Sequence, residues 1–344
     1  MTRDAFTVIA LVCGLAGGCL AADYPQAEIS NGQIRAILYL PDAQRGYYRG
    51  TRFDWSGVIA SLEYKGHNYY GPWFQRMDPK VHDFIYDGPD IVAGPASAIS
   101  GPVEEFSSGG KTLGYDEAKP GDTFLKIGVG VLRKPNEPAY DHYKAYEVVD
   151  PGKWSIGKGP EWIEFVQELS GPAGYAYVYR KTIRLAKDKP EMILQHSLKN
   201  TGRRAIEADV YNHNFLVLDK QPTGPDFEIS FPFEIQSGRP PNEQLAAIRG
   251  HRIVYLRTLQ NQETVSTGVQ GFGDNSKDYD IRIENRRVGA GMRITADRPL
   301  LRAMLWSIRS VLAIEPFIGM AIEPGGEFTW TLTYDFYSLP ANSQ

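Results

Sequence analysis

Two side chains in this sequence have the surroundings of a working acid and base. Glu315 stands between Ile314 and Pro316 in the apolar run Ser310–Pro324, SVLAIEPFIGMAIEP. A carboxylate so placed has little water, and burying a charge is costly unless it is paired or used. It reads either as a general base held in a pocket or as a strand-end acid that reaches solvent. His213 lies in Tyr211-Asn212-His213-Asn214-Phe215. Strand alternation puts Tyr211, His213 and Phe215 on one face and Asn212 and Asn214 on the other. Such a histidine is either a satisfied core residue or an acid that works near neutral pH. Taken together they form a candidate pair on two strands, which is how a sheet scaffold builds a cleft.

The elements that must position the pair read as strands nearly throughout. Thirty-five glycines and 23 prolines punctuate short runs rich in Val, Ile, Tyr, Phe and Thr. That is the pattern of an all-β chain folded as a large antiparallel sandwich. Strands are expected at Ile34–Tyr39, Ser56–Tyr64, Phe124–Leu132, Tyr143–Val149, Trp162–Leu169, Tyr175–Leu185, Glu191–Lys199 and Ala205–Leu218. Others are expected at Phe227–Ile235, Arg252–Leu259, Tyr279–Asn285, Ala290–Thr295, Leu301–Ser307, Val311–Ile314 and Phe328–Tyr337, with a short loop between Pro316 and the Pro-Gly-Gly turn. Gly128 and Gly130 suggest a bulge in the third of these. The loops Asp78–Asp90 and Pro135–Tyr143 carry His82 and His142 and look exposed. No repeat or change of composition divides residues 23–344, so a single domain is expected.

The first 22 residues read as a secretory signal peptide: Arg3, the apolar run Ala5–Val12, then small residues ending at Ala21-Ala22. The expected location is therefore periplasmic or extracellular. Both cysteines, Cys13 and Cys19, fall in this leader. The alternative processing is lipid attachment at Cys19, since Ala16-Gly17-Gly18-Cys19 loosely matches a lipoprotein cleavage box. The apolar run is too short and glycine-rich for a membrane span of about 20 residues. With a formal net charge of -4 and no clustered basic stripe, nucleic acid is not an expected partner. No cofactor motif is present. Asn275, Asp278 and Asp280 lack the carboxylate density of a calcium loop, so no metal is expected.

The order of features, a His strand followed by an apolar-Glu-Pro strand and a Pro-Gly-Gly turn into FTWTLTYDF, resembles the galactose mutarotase (aldose 1-epimerase) family and its superfamily of carbohydrate-acting β-supersandwiches. The likeness is carried by Val311–Tyr337, Tyr211–Leu218 and Ile294–Trp306. It implies a galactose mutarotase-like fold, a small sugar or oligosaccharide as partner, and a catalytic pair of Glu315 and His213 flanking the sugar. The family's Asn-Arg element and additional histidine are not recognisable in the N-terminal half. Glu105 and Lys126 occupy roughly that region, and Arg52 is another basic candidate. With Tyr211, Asn214 and Trp306 these are the expected substrate contacts.

Interconverting sugar anomers requires a base for the anomeric hydroxyl and an acid for the ring oxygen. The resemblance assigns Glu315 as base, its pKa raised by apolar neighbours, and His213 as acid, kept protonated by a nearby carboxylate. The two are expected to face one cleft across a gap of one sugar ring. A secreted anomer isomerase is thus the leading expectation. The alternatives are a non-catalytic carbohydrate-binding protein on the same scaffold and a protein related to polysaccharide lyases or hydrolases.

Overall fold

The computed structural model describes residues 24–107 and 112–340. The expected leader, with Cys13 and Cys19, lies outside the described residues. Among the described residues no helix is long and apolar enough to cross a membrane. The architecture is all-β, and its two largest sheets form the body of the sandwich. A ten-stranded antiparallel sheet runs in the order Lys153–Lys158, Trp162–Ser170, Ala176–Leu185, Glu191–Asn200, Glu327–Ser338, Ala290–Ala296, Asp280–Asn285, Phe227–Ser230, Arg252–Tyr255 and Ala246–Arg249. A five-stranded sheet has the order Val265–Val269, Arg302–Ile308, Val311–Ile322, Ile206–Phe215 and Gly101–Phe106. The remaining strands form small sheets.

Period-two patterning explains the large sheet. In Glu191–Asn200 the residues Met192, Leu194, His196 and Leu198 are all buried, and the residues between them face outward. Trp330, Leu332, Tyr334 and Phe336 do the same on the neighbouring strand. Each fully buried aliphatic or aromatic side chain contributes about 1.5–3 kcal/mol relative to exposure. A second apolar cluster, rich in aromatics, lies on the other side of the five-stranded sheet and includes Phe53, Trp73, Tyr211, Phe215 and Phe317.

Between the two large sheets sits a buried polar network. Glu104 accepts from Asn212 Nδ2 at 2.9 Å, meets His196 Nε2 at 2.8 Å and binds Lys181. Lys181 also lies 3.9 Å from Asp54, which accepts from Tyr179 at 3.0 Å. His196 stacks flat on Trp330, ring centres 4.5 Å apart. Every charge here has a partner, the condition under which a core tolerates charge.

Several expected elements differ. Phe124–Leu132 is a hairpin of two strands, Thr123–Lys126 and Gly130–Arg133, rather than one bulged strand. Gly128 at its turn has φ +77°, and a Cβ there would sit 2.8 Å from Asp54. Tyr143–Val149 is mostly loop, with a strand only at Val148–Asp150. Gly101–Phe106 was not expected as a strand; it is buried along its whole length, so no alternation marks it. The strand holding Glu315 does not end at Ile314 but continues through Pro316 to Ile322.

Candidate functional site

A break in strand pairing creates the site. Ile206–Phe215 and Val311–Ile322 pair in register from Ile206 with Ile322 to Tyr211 with Phe317, and touch again where Leu216 meets Leu312. Both contacts keep the same register, which puts His213 opposite Glu315. Pro316 has no N–H to give to the ladder. The side chain of Asn214 takes over in the gap: its Nδ2 donates to Ile314 O at 2.8 Å, and its Oδ1 accepts from Tyr334 at 2.8 Å. On the far side of Pro316 the ladder with Arg302–Ile308 is unbroken. The backbone is thereby opened without loss of alignment, and His213 Nε2 lies 3.2 Å from Glu315 Oε1.

This pair opens on a cleft of about 360 Å³ on the side of the five-stranded sheet turned away from the large one. Ligand pockets span roughly 300–1,000 Å³. Its walls are aromatic: Trp73, Phe84, Tyr143, Trp306 and Phe317 line it. Phe215 stacks on His213 with ring centres 3.7 Å apart, and Trp306 meets the same imidazole edge-on at 5.8 Å. Arg302 lies over Phe317 at 3.8 Å and pairs with Asp209 at 3.2 Å.

A second network braces the cleft. Glu105 is fully buried and accepts from Arg52 Nε at 2.8 Å and Tyr211 Oη at 2.6 Å. His142 Nδ1 lies 2.9 Å from the other carboxylate oxygen, and Lys126 Nζ approaches within 3.7 Å. Arg52 also donates to Tyr211 at 3.1 Å and lies over the rings of Phe53 and Tyr143. Burial alone would raise the pKa of Glu105, but Arg52, His142 and Lys126 outweigh it and hold the carboxyl well below its usual range. Because Glu105 engages Nδ1, the Nε2 edge of His142 is left for the cleft.

The electrostatics of the central pair run in opposite directions. Burial pushes Glu315 up to about 7, with Arg52 opposing and Glu105 assisting. Burial, followed by the charge of Arg52, drives His213 well below its ordinary value. The expected elevation of Glu315 is present. The expected protonated histidine is not, because desolvation and a buried guanidinium act on the same imidazole. Near neutral pH the pair therefore shares at most one proton, held mainly on the carboxyl. The two groups also touch instead of standing a ring's width apart.

Of the residues expected to contact substrate, Arg52, Tyr211 and Trp306 line the cleft together with Glu315 and His213. Glu105 lies behind them, and Lys126 is buried with its Nζ donating to Phe106 O at 2.5 Å. Asn214 faces the core between the sheets, as strand alternation requires, and does not reach the cleft. His142, Tyr143, Asp83 and Phe84 line it without having been selected from sequence. Their loops are distant from the His213 strand along the chain, and only the fold brings them together. Tyr69 and Tyr70 are core residues, whereas Trp73 of the same aromatic run reaches the cleft. His67 pairs with Asp219 at 2.7 Å.

The all-β architecture is that of a galactose mutarotase-like sandwich, and solved structures agree. A galactose mutarotase-like protein from Lactobacillus casei matches with a TM-score of 0.52 at 14% identity, over 91% of this chain and 100% of its own. The GalM/aldose epimerase homologue from Caenorhabditis elegans matches at 0.51 and 14%, over 92% and 99%. A galactose mutarotase-like protein from Clostridium acetobutylicum gives 0.51 and 10%, over 91% and 95%. At such identities the likeness is one of fold, and the chain is a divergent example of it. No family model and no curated protein matches the sequence.

Proposed function

We propose that this protein is an exported enzyme of the aldose 1-epimerase type, which interconverts the anomers of a small sugar by acid–base ring opening. The carrying observation is the 3.2 Å approach of His213 Nε2 to Glu315 Oε1 on the floor of an aromatic-walled cleft. The anomeric hydroxyl and the ring oxygen are bonded to the same carbon. An acid and a base that serve both must stand side by side, so direct contact suits this chemistry better than a ring-wide gap. One group takes the hydroxyl proton while the other protonates the ring oxygen; the ring opens, the C1–C2 bond rotates, and reclosure on the other face returns both protons. The single proton shared by Glu315 and His213 is the proton count this cycle needs, with the Glu315 carboxyl as the starting donor and the neutral imidazole as the starting acceptor. Apolar ring faces of a sugar would stack on Trp306 or Trp73. The leader, outside the described residues, is the basis for export.

Polarimetry of freshly dissolved glucose, galactose and xylose tests the reading. Catalysed mutarotation of at least one, abolished in Glu315→Gln, is expected; no acceleration at high protein concentration would overturn it. A second reading, carbohydrate binding without turnover, is favoured by one observation: burial suppresses the charged form of His213. Saturable sugar binding with no change in mutarotation rate is its signature.

A further inference from the structure

A second concavity lies on the opposite side of the sandwich. It has a volume of about 280 Å³ and is lined by Arg249, Arg252, Arg286, Glu228, Val254 and Leu256. Ile229 and Ile253 are buried in the core, so alternation places Glu228 and Arg252 on the outer face of the ten-stranded sheet. The cleft of His213 and Glu315 belongs to the other sheet and faces away from this one.

The charges of this concavity do not balance. Glu228 is the one carboxylate lining it, and two guanidiniums share it: Arg286 Nη2 at 2.8 Å and Arg252 Nη1 at 3.4 Å. The nearby Arg287 is already matched by Asp226 at 2.7 Å. Among the described residues no acid pairs with Arg249. Arg249 stands directly opposite Arg252 across the Gly250-His251 turn. Like charges facing across a ladder are unfavourable, and an oxyanion between them would relieve the repulsion. Guanidinium forks match carboxylate and sulfate oxygens in geometry as well as in charge. Leu256, 42% exposed, and Val254 provide an apolar flank for which a bare inorganic anion has no use.

We infer that this concavity binds the carboxylate or sulfate group of an acidic oligosaccharide, with the oxyanion between Arg249 and Arg252 and a ring face against Leu256. The site does not depend on the chemistry of the cleft, and its test does not read activity. Calorimetric titrations would use oligogalacturonate, a heparin-derived oligosaccharide, a neutral maltooligosaccharide and sodium sulfate. Saturable, salt-sensitive binding of at least one acidic oligosaccharide is expected, with neither the neutral chain nor sulfate binding comparably. Arg249→Ala removes no ion pair of the fold and should weaken binding at least about tenfold, as loss of a charge-assisted contact does. Glu228→Gln, which removes the competing carboxylate, should tighten it. Absence of binding by both acidic probes, equal binding of the neutral chain or of sulfate, or unchanged affinity in Arg249→Ala would each overturn the inference.

Discussion

His213 and Glu315 stand opposite each other where their two strands stay in register but do not complete the ladder, and this places an imidazole nitrogen and a carboxylate oxygen 3.2 Å apart. Pro316 and the side chain of Asn214 together make that arrangement stable. The gap is therefore a built feature of the sheet.

Replacing Glu315 by Gln should reduce mutarotation about 10²- to 10⁴-fold, the usual contribution of a general acid or base. The side chain keeps its shape, and the native carboxyl is already readily protonated at neutral pH, with a pKa of about 7. The variant should therefore fold normally. Polarimetry with circular dichroism measures both, and a wild-type rate in the folded variant would contradict the assignment.

The pH profile follows from the shared proton. As pH rises through about 7 Glu315 loses its proton while His213 is already neutral, so the pair has no acid left and the rate should fall. Stability should move in the same sense. Between its ordinary 4.5 and about 7 the folded carboxyl holds a proton that the unfolded chain has released. Its contribution is present below 4.5 and is lost as pH rises through 7. Denaturant midpoints of wild type and Glu315→Gln across that window should diverge accordingly. A rate that climbs through neutral pH would count against the shared-proton scheme.

Glu105→Ala should destabilise the fold by about 3–5 kcal/mol, since it strips Arg52 of its buried counter-charge. Urea unfolding reads this directly. A change near zero would mean that Arg52 finds another partner or water.

Trp306→Ala should weaken sugar binding more than it slows turnover. Removing one stacking wall costs about 0.5–1.5 kcal/mol beyond the lost area, which corresponds to a several-fold rise in KM at nearly constant kcat. An equal fall in kcat would instead place the ring against the reacting atoms.

Much of this architecture is legible in the sequence wherever one face of a strand is buried. Met192, Leu194 and Leu198 announce their strand, and Tyr211, His213 and Phe215 announce the face that the cleft uses. Legibility fails where burial is two-sided or where contact depends on long-range closure. Gly101–Phe106 carries two adjacent acids and no alternation, so nothing local marks it as a strand. Nothing near His142 indicates that its ring will reach Glu105, because the loop returns from elsewhere in the chain. Asn214 is a different case: its alternation correctly put it on the core face, and only proximity to His213 suggested a substrate contact.

The strand Gly101–Phe106 has a further consequence. Glu104 is turned into the core, where it meets Lys181 and His196, and Glu105 is turned towards the cleft, where it meets Arg52 and His142. A one-residue slip of the strand in either direction would leave a carboxylate at only one of these two positions and bring Val103 or Phe106 to the other, stripping one buried cationic network of its counter-charge. Gly101 adds a steric check on the same frame, with φ +81° and a missing Cβ that would lie 2.8 Å from Ile59 Cβ. Insertions or deletions within Gly101–Phe106 should therefore be tolerated far less than substitutions at either glutamate's neighbours, and the frame of the whole cleft is held in part by a glycine that takes no part in it.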